Sequence, residues 1–539
     1  MAATLPPSGR PGGAMFFTDA RACKEWLNNL PLTNIPQAQS LVLDALRVLN
    51  RAEFDALERL KCMELMRDKI AFLQGEQRSR YFGKTLPLSP NDTAAWTTGR
   101  ALLEEMESGY RQCMTVAEIE QNELSRHGAL MTQRVIRYIG AQMLFHAIVY
   151  RRFDPALWGR LHQQYVAAER AGITEERVKD SLEGEEGGTS VMETYAQVVL
   201  TQAAYLSEMT APQMDFLEAL LRMWVRKVRV LREPPEATES LAAHPLAVDV
   251  TKQIGARPLA HDQVQAIHRI LDVESLSKSI RRRIRGLQND EEPVSLGLPA
   301  EASALDALHQ LQRLHKLWCE GAPPRPPAKI PEEKSAGLAF GLGEIHFFVT
   351  GGKVFEQPDR KRELTRQEKD DIAVFGRVSE RTQTMLLGEH NFTLENWGVV
   401  DEMLGAWRLA RPPTASKGVA IGRIVAMRVG EAAAFLVGMV SALVQETDGR
   451  IVITVTLFPG RPQPIAVRAA DARNRANPQW FQGFRLPALD KLGIPESLVV
   501  PSGMASRGRG IETWADGPKE STVYEILDRG TDFDRITIF

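Results

Sequence analysis

Two arginines stand four residues apart in Arg377-Val378-Ser379-Glu380-Arg381. A guanidinium presents a rigid donor fork that matches phosphate oxygens and guanine edges. After the pair, strand-like alternation runs to Asp401, a short turn follows around Gly405, and alternation resumes in Trp407 and Leu409. Asp401 offers an acceptor for N–H groups, and Gly405 lets the backbone turn closely. An arginine pair, a strand and an acidic turn suit the holding of an anionic ligand against a β-surface.

The pair needs a frame. Thr365-Arg366-Gln367-Glu368 is a capping-box pattern. It starts a short helix through Ile372 and Phe375, which Gly376 stops, so Arg377 leaves a helix end on the way into β sequence. Strands are expected at Ile345–Val349, Asn396–Asp401, Trp407–Arg411, Ile424–Val429, Phe435–Gln445, Ile451–Phe458 and Pro464–Arg468. A final hairpin follows in Thr522–Leu527 and Arg535–Phe539. Turns fall at Gly351-Gly352, Pro412-Pro413, Asp448-Gly449 and Pro459-Gly460. Short strands at this spacing predict a small antiparallel barrel or sandwich.

Ahead of residue 321 the hydrophobic period is helical. Leu41, Leu43, Ala45, Leu46 and Leu49 share one face, and Phe54, Leu57, Leu60, Met63 and Met66 recur at helical spacing. Trp158, Leu161, Tyr165 and Ala168 resemble the first helix of a tetratricopeptide unit, with His162 in place of its glycine. A plain irregular helical domain fits as well. Either arrangement is a scaffold of the kind that binds protein. A helix is expected over Met214–Arg232, with Trp224 among Arg222, Arg226, Lys227, Arg229 and Arg232. Arg281-Arg282-Arg283-Ile284-Arg285 closes another helix. Basic residues at a helix C-terminus complement its dipole; an RNA, lipid or acidic-partner patch is the alternative. Residues 321–337 carry five prolines between terminal glycines and read as a linker. The expected division is a disordered 1–18, a helical domain 19–320, a proline-rich linker 321–342 and a β-domain 343–539.

Composition narrows the function. The 539 residues carry 66 Lys plus Arg against 68 Asp plus Glu, a net charge of −2, so any anion site is local. Four scattered cysteines without C-x-x-C argue for reduced thiols in a cytoplasmic protein, without disulfides or zinc. The first residues lack the apolar run of a signal peptide, and Ala432–Val444 is too short to span a membrane. No P-loop, G-x-S-x-G or H-E-x-x-H pattern is present, and the histidines are scattered, His346 reading as structural. These absences argue against an enzyme and against a metal cofactor.

The stretch from Arg377 to Ala406 resembles the PilZ domain, the bacterial receptor module for cyclic di-GMP, whose pattern is R-x-x-x-R followed by [D/N]-x-S-x-x-G. Arg377 and Arg381 match the first half and Asp401 the start of the second. Met403 stands at the serine position, Ala406 at the glycine position, and Gly405 one place early. The resemblance implies an N-terminal all-α helical domain followed by a C-terminal PilZ-like antiparallel β-barrel. It implies a cyclic di-GMP receptor with Arg377, Arg381, Asp401 and Gly405 as ligand residues. The signal would pass to a protein partner through the helical domain, with motility, adhesion or biofilm formation as output. The alternative is a PilZ-like barrel that has lost the nucleotide and acts as an interaction module. Nucleic acid and a membrane span are not expected.

Overall fold

The computed structural model describes residues 15–120, 123–183, 188–233, 244–321, 334–358, 366–375, 392–413, 417–430, 432, 434–471 and 479–539. The chain divides into two compact units, Met1–Arg325 and Pro326–Phe539.

The first unit is helical at its centre. Its helices are α1 (Ala20–Asn28), α2 (Ile35–Arg51), α3 (Ala56–Gln77), α4 (Pro90–Glu120), α5 (Gly128–Ala147), α6 (Ala156–Ala171), α7 (Val191–Ala203), α8 (Ala211–Trp224), α9 (Glu274–Gln288) and α10 (Ala304–Cys319). Their starts are written in the sequence. Asp19, Asn34, Asp55 and Ser303 accept from backbone N–H groups of the first turns of α1, α2, α3 and α10. Ser190 with Glu193 closes a capping box on α7, and the Gln213 side chain accepts from Thr210 N at the start of α8. Ser89 caps α4, its Oγ accepting from Asp92 N at 3.2 Å.

Strands interrupt this unit, which the sequence had read as wholly helical. β1 (Val178–Lys179) and β2 (Gly188–Thr189) form a hairpin between α6 and α7, where a tetratricopeptide unit would have a tight helical turn. β3 (Arg229–Leu231), β4 (Leu246–Asp249), β5 (Arg257–Pro258) and β6 (His268–Asp272) make a sheet of order β3-β6-β4-β5. The helix expected over 214–232 therefore ends at Trp224. Val228 and Val230 favour the extended chain, and Val230 pairs with Leu271. The tetratricopeptide-like residues Trp158, Leu161, Tyr165 and Ala168 are all buried on α6. His162 is buried with them, its ring nitrogens 2.9 Å from Ile254 O and 2.9 Å from the Tyr195 hydroxyl.

The second unit holds two closed six-stranded barrels where one was expected. The first runs β7 (Ser335–Phe340), β8 (Glu395–Met403), β9 (Ala406–Arg411), β10 (Ile424–Val429), β11 (Leu436–Gln445) and β12 (Ile451–Leu457), closing as β10-β11-β12-β9-β8-β7. The second runs β13 (Gln463–Ala469), β14 (Phe481–Leu486), β15 (Ser497–Pro501), β16 (Gly510–Trp514), β17 (Pro518–Arg529) and β18 (Phe533–Ile538), closing as β13-β14-β15-β18-β17-β16. Every pairing is antiparallel. Twelve strands at this spacing exceed what one small barrel holds, so closure happens twice and leaves no edges. Gly438 of β11 is there for room: a Cβ on it would lie 2.2 Å from Thr456 O.

The first strand is Ser335–Phe340; the expected strand Ile345–Val349 is instead helix α11 (Leu342–Val349). A short apolar run cannot be assigned by period alone. Here Gly341 at φ +83 turns the chain, and the Glu344 carboxylate accepts from Phe340 N at 3.2 Å. Helix α11 buries Ile345 in a core shared by both barrels: Ala339, Ile424, Phe435 and Val437 from the first, Phe484, Val499 and Phe533 from the second. Asp532, in the turn before β18, binds the two together, its carboxylate accepting from Ile424 N at 2.9 Å. A separate core of Ile465, Val467, Leu498, Val500, Ile511 and Val523 fills the second barrel. Helix α12 (Arg366–Phe375) lies where the capping box at 365–368 placed it.

Candidate functional site

Arg377 and Arg381 lie outside the described residues. The chain is described on both sides, to the end of α12 at Phe375 and again from Phe392 into β8. The remaining two site residues fall on the β8–β9 hairpin of the first barrel. Its register runs Met403 opposite Ala406 and Asp401 opposite Arg408, with a shift between Val399 and Asp401. The two-residue tip is Leu404-Gly405. Gly405 has φ +74, as the second central position of a type II turn requires. A Cβ there would meet nothing within 4 Å, so conformation and not space demands glycine. Gly405 O accepts from Leu457 N at 2.9 Å, which ties the tip to β12. Leu404 stands fully exposed at the tip.

Asp401 is 2 % exposed and shares the buried face of β8 with Trp397 and Val399. Its carboxylate is therefore reached from the barrel side of the strand. Ala406, at the position of the PilZ glycine, is buried at the start of β9. Met403 carries no hydroxyl and cannot donate or accept as a serine does.

A polar cluster that the sequence did not single out anchors the chain where it enters β8. The Glu344 carboxylate on α11 accepts from Thr393 N at 2.8 Å and pairs with Lys417 Nζ at 2.6 Å. Lys417 Nζ also donates to Thr393 O at 3.0 Å. Arg411 at the end of β9 pairs with Glu395 at 2.6 Å, and its guanidinium lies 4.8 Å from the centre of the Trp397 ring. It donates to Lys417 O at 2.5 Å. Burial lowers the Arg411 pKa, and the Glu395 carboxylate opposes that. Pairing β8 with β9 evenly about Leu404-Gly405 would set Trp397 opposite Pro412. The register shift sets Gly398 opposite Ala410 instead, which brings Arg411 beside the indole. The bulge is what hid this cluster.

The helical unit has its own charged centre, carried by α3, α5 and the β1–β2 hairpin. The Asp180 side chain is fully buried and meets Arg67 at 2.6 Å, Arg137 at 2.9 Å and Arg134 at 3.2 Å. Arg134 also pairs with Glu64 at 2.8 Å, and Tyr110 donates to Glu64 at 2.5 Å. Burial alone would raise the Asp180 carboxyl. Arg137, Arg67 and Arg134 outweigh it and hold the pKa down at about 2. Arg67 and Asp180 are 113 residues apart in sequence, so no local spacing signals the pair.

Among the described residues no group of His, Cys, Asp or Glu is placed to hold a metal ion, and no helix is long and apolar enough to cross a membrane. No curated protein and no solved structure matches the chain. One family does match, over residues 21–236: the N-terminal domain of the cyclic-di-GMP receptor FimW. The matched stretch runs from α1 to just past β3 and contains the Asp180 centre. Residues 21–236 are thus similar to the FimW N-terminal domain, and antiparallel β-barrels follow them in the chain.

Proposed function

We propose that this protein is a non-catalytic, cytoplasmic effector that binds cyclic di-GMP and passes the signal to a protein partner through its helical unit. The observation that carries this reading is the match of residues 21–236 to a domain of a cyclic-di-GMP receptor. The PilZ-like pattern supports it independently, because R-x-x-x-R precedes a barrel hairpin whose tip glycine holds φ +74. In this reading Arg377 and Arg381 take the phosphates and a guanine edge. Asp401 accepts guanine N–H groups, and Gly405 keeps the turn tight. The Glu344–Lys417 and Glu395–Arg411 pairs steady the chain that leads from the arginines into β8. The proline-rich stretch ahead of β7 joins the helical part to the barrels.

A second reading is favoured by the burial of Asp401 and by Met403 and Ala406 at the serine and glycine positions. In it the barrel binds no nucleotide and acts as an interaction module. Fluorescent cyclic di-GMP titrated with the intact protein separates the two. Saturable binding displaced by unlabelled cyclic di-GMP but not by GTP supports the first reading; a flat titration supports the second.

A further inference from the structure

Two basic runs about fifty residues apart in sequence meet on the helical unit. Lys227, just past α8, donates from Nζ to Ser279 Oγ of α9 at 2.7 Å. Arg283 of α9 donates from Nη1 to the same oxygen at 2.7 Å. Both cations lie against one indole, Arg283 at 4.6 Å and Lys227 at 5.8 Å from the centre of Trp224. The Lys227 pKa is lowered, first by burial and then by Arg283 and Arg282. Like charges are therefore crowded here.

The exposed face of α9 continues the crowding with Lys278, Arg281, Arg282 and Arg285. These positions follow helical spacing, so they form one stripe. Lys278 pairs with Glu274 at 2.7 Å. Among the described residues no carboxylate pairs with Arg222, Arg282 or Arg285. The helix dipole accounts for Arg285 in the last turn but not for Lys278, Arg281 and Arg282, which lie in the middle of a 15-residue helix.

Two exposed aliphatic side chains flank the cations. Met223 is 46 % exposed, one turn ahead of Arg226 and Lys227. Val294 is 63 % exposed, in the turn whose Leu296 O accepts from Arg283 Nε at 2.9 Å. The ring in the cluster, Trp224, is 3 % exposed and covered by Arg283, so it offers no face for a nucleic-acid base to stack on. Unpaired guanidiniums beside exposed aliphatic side chains match a lipid headgroup layer, where phosphates meet the cations and short apolar groups enter the boundary.

We propose that this face of α8 and α9 docks on the surface of an anionic phospholipid bilayer. Arg281, Arg282 and Arg285 take headgroup phosphates, and Met223 and Val294 enter the headgroup layer. Contact is peripheral and weakens with salt. The full-length protein is sedimented with vesicles of phosphatidylcholine alone or of phosphatidylcholine with phosphatidylglycerol. Binding is expected to the anionic vesicles and to fall as salt rises. Each basic residue near such a surface is worth about fivefold in affinity. Arg282→Ala with Arg285→Ala together should then weaken binding roughly 30-fold. Met223→Gln should weaken it without changing the salt dependence, and Arg21→Ala on α1 should leave it unchanged. Circular dichroism checks that each variant is folded. Equal binding to neutral and anionic vesicles, indifference to the double substitution, or tighter binding to an oligonucleotide at the same salt would each overturn the proposal. So would displacement of the vesicles by millimolar inorganic phosphate, which would mark a small-anion site.

Discussion

Asp180→Ala is the perturbation with the largest expected effect on the helical unit. The aspartate is the shared anion of Arg67, Arg134 and Arg137, two of which have fully buried side chains. Its removal leaves buried guanidinium charge uncompensated, a class of change that costs about 3–5 kcal/mol. Glu64 remains against Arg134 at 2.8 Å and Arg67 at 3.5 Å, which places the expectation at the lower end, about 3 kcal/mol. Asp180→Asn keeps an acceptor and should cost less. Arg137→Ala, whose partner charge stays paired by two other arginines, should cost about 1 kcal/mol. Acid gives a second handle. The Asp180 carboxyl sits at about 2 in the folded chain, below its unfolded value near 3.9. Its contribution is therefore complete above pH 4 and is lost as pH falls from about 4 to about 2, to the extent of roughly 2–3 kcal/mol. Urea unfolding of the full chain, followed by helical circular dichroism, measures both. A loss below about 1 kcal/mol for Asp180→Ala, or an unchanged acid profile, would refute the claim that this carboxylate neutralises the buried arginines.

Three further outcomes are expected. Gly405→Ala meets no clash but forces a left-handed conformation on a residue with a Cβ, so the barrel unit should lose about 1–2 kcal/mol in urea unfolding; an unaltered midpoint would mean that the turn relaxes freely. Burial lowers the His346 pKa to about 4, so the neutral ring supports the barrel unit above pH 6.5, and that support is lost as pH falls from 6.5 toward 4. His346→Phe should flatten a slope of up to about 1.4 kcal/mol per pH unit in that window, measured by urea midpoints across pH. Limited proteolysis should cut first between residues 322 and 333, leaving two folded fragments; earlier cleavage inside either unit would count against the linker.

Much of the fold was legible because local rules agreed with tertiary structure. The box at 365–368 marked a helix start, and alternation marked β12. What escaped were segments whose state depends on distant partners. Arg229–Leu231 is a strand because β6 lies beside it. Ile345–Val349 is helix because a core contributed by two barrels waits for Ile345, Phe348 and Val349 on one side. The second barrel was hidden by a count of strands that says nothing about where closure falls. At the candidate site, Gly405 was readable from turn chemistry and Asp401 from the motif. The burial of Asp401 follows the alternation of Trp397, Val399 and Asp401 on β8, and which face of the strand turns inward is set by closure of the barrel. Glu344, Glu395, Arg411 and Lys417 come from α11, β8, β9 and the loop before β10, and the Arg67–Asp180 pair spans 113 residues; both clusters exist only in three dimensions.

Calorimetry of the full-length protein with cyclic di-GMP, beside its Arg377→Ala and Arg381→Ala variants, tests the proposed function most directly. A charge-assisted hydrogen bond is worth about 1.5–3 kcal/mol, so each substitution should weaken binding about 10- to 150-fold. Arg→Lys at either position should also weaken it, because an ammonium lacks the planar fork. The double variant Arg281→Ala with Arg285→Ala should bind as the natural protein does. No heat with the natural protein at high micromolar nucleotide, or equal losses at both R-x-x-x-R pairs, would contradict a nucleotide site built on Arg377 and Arg381.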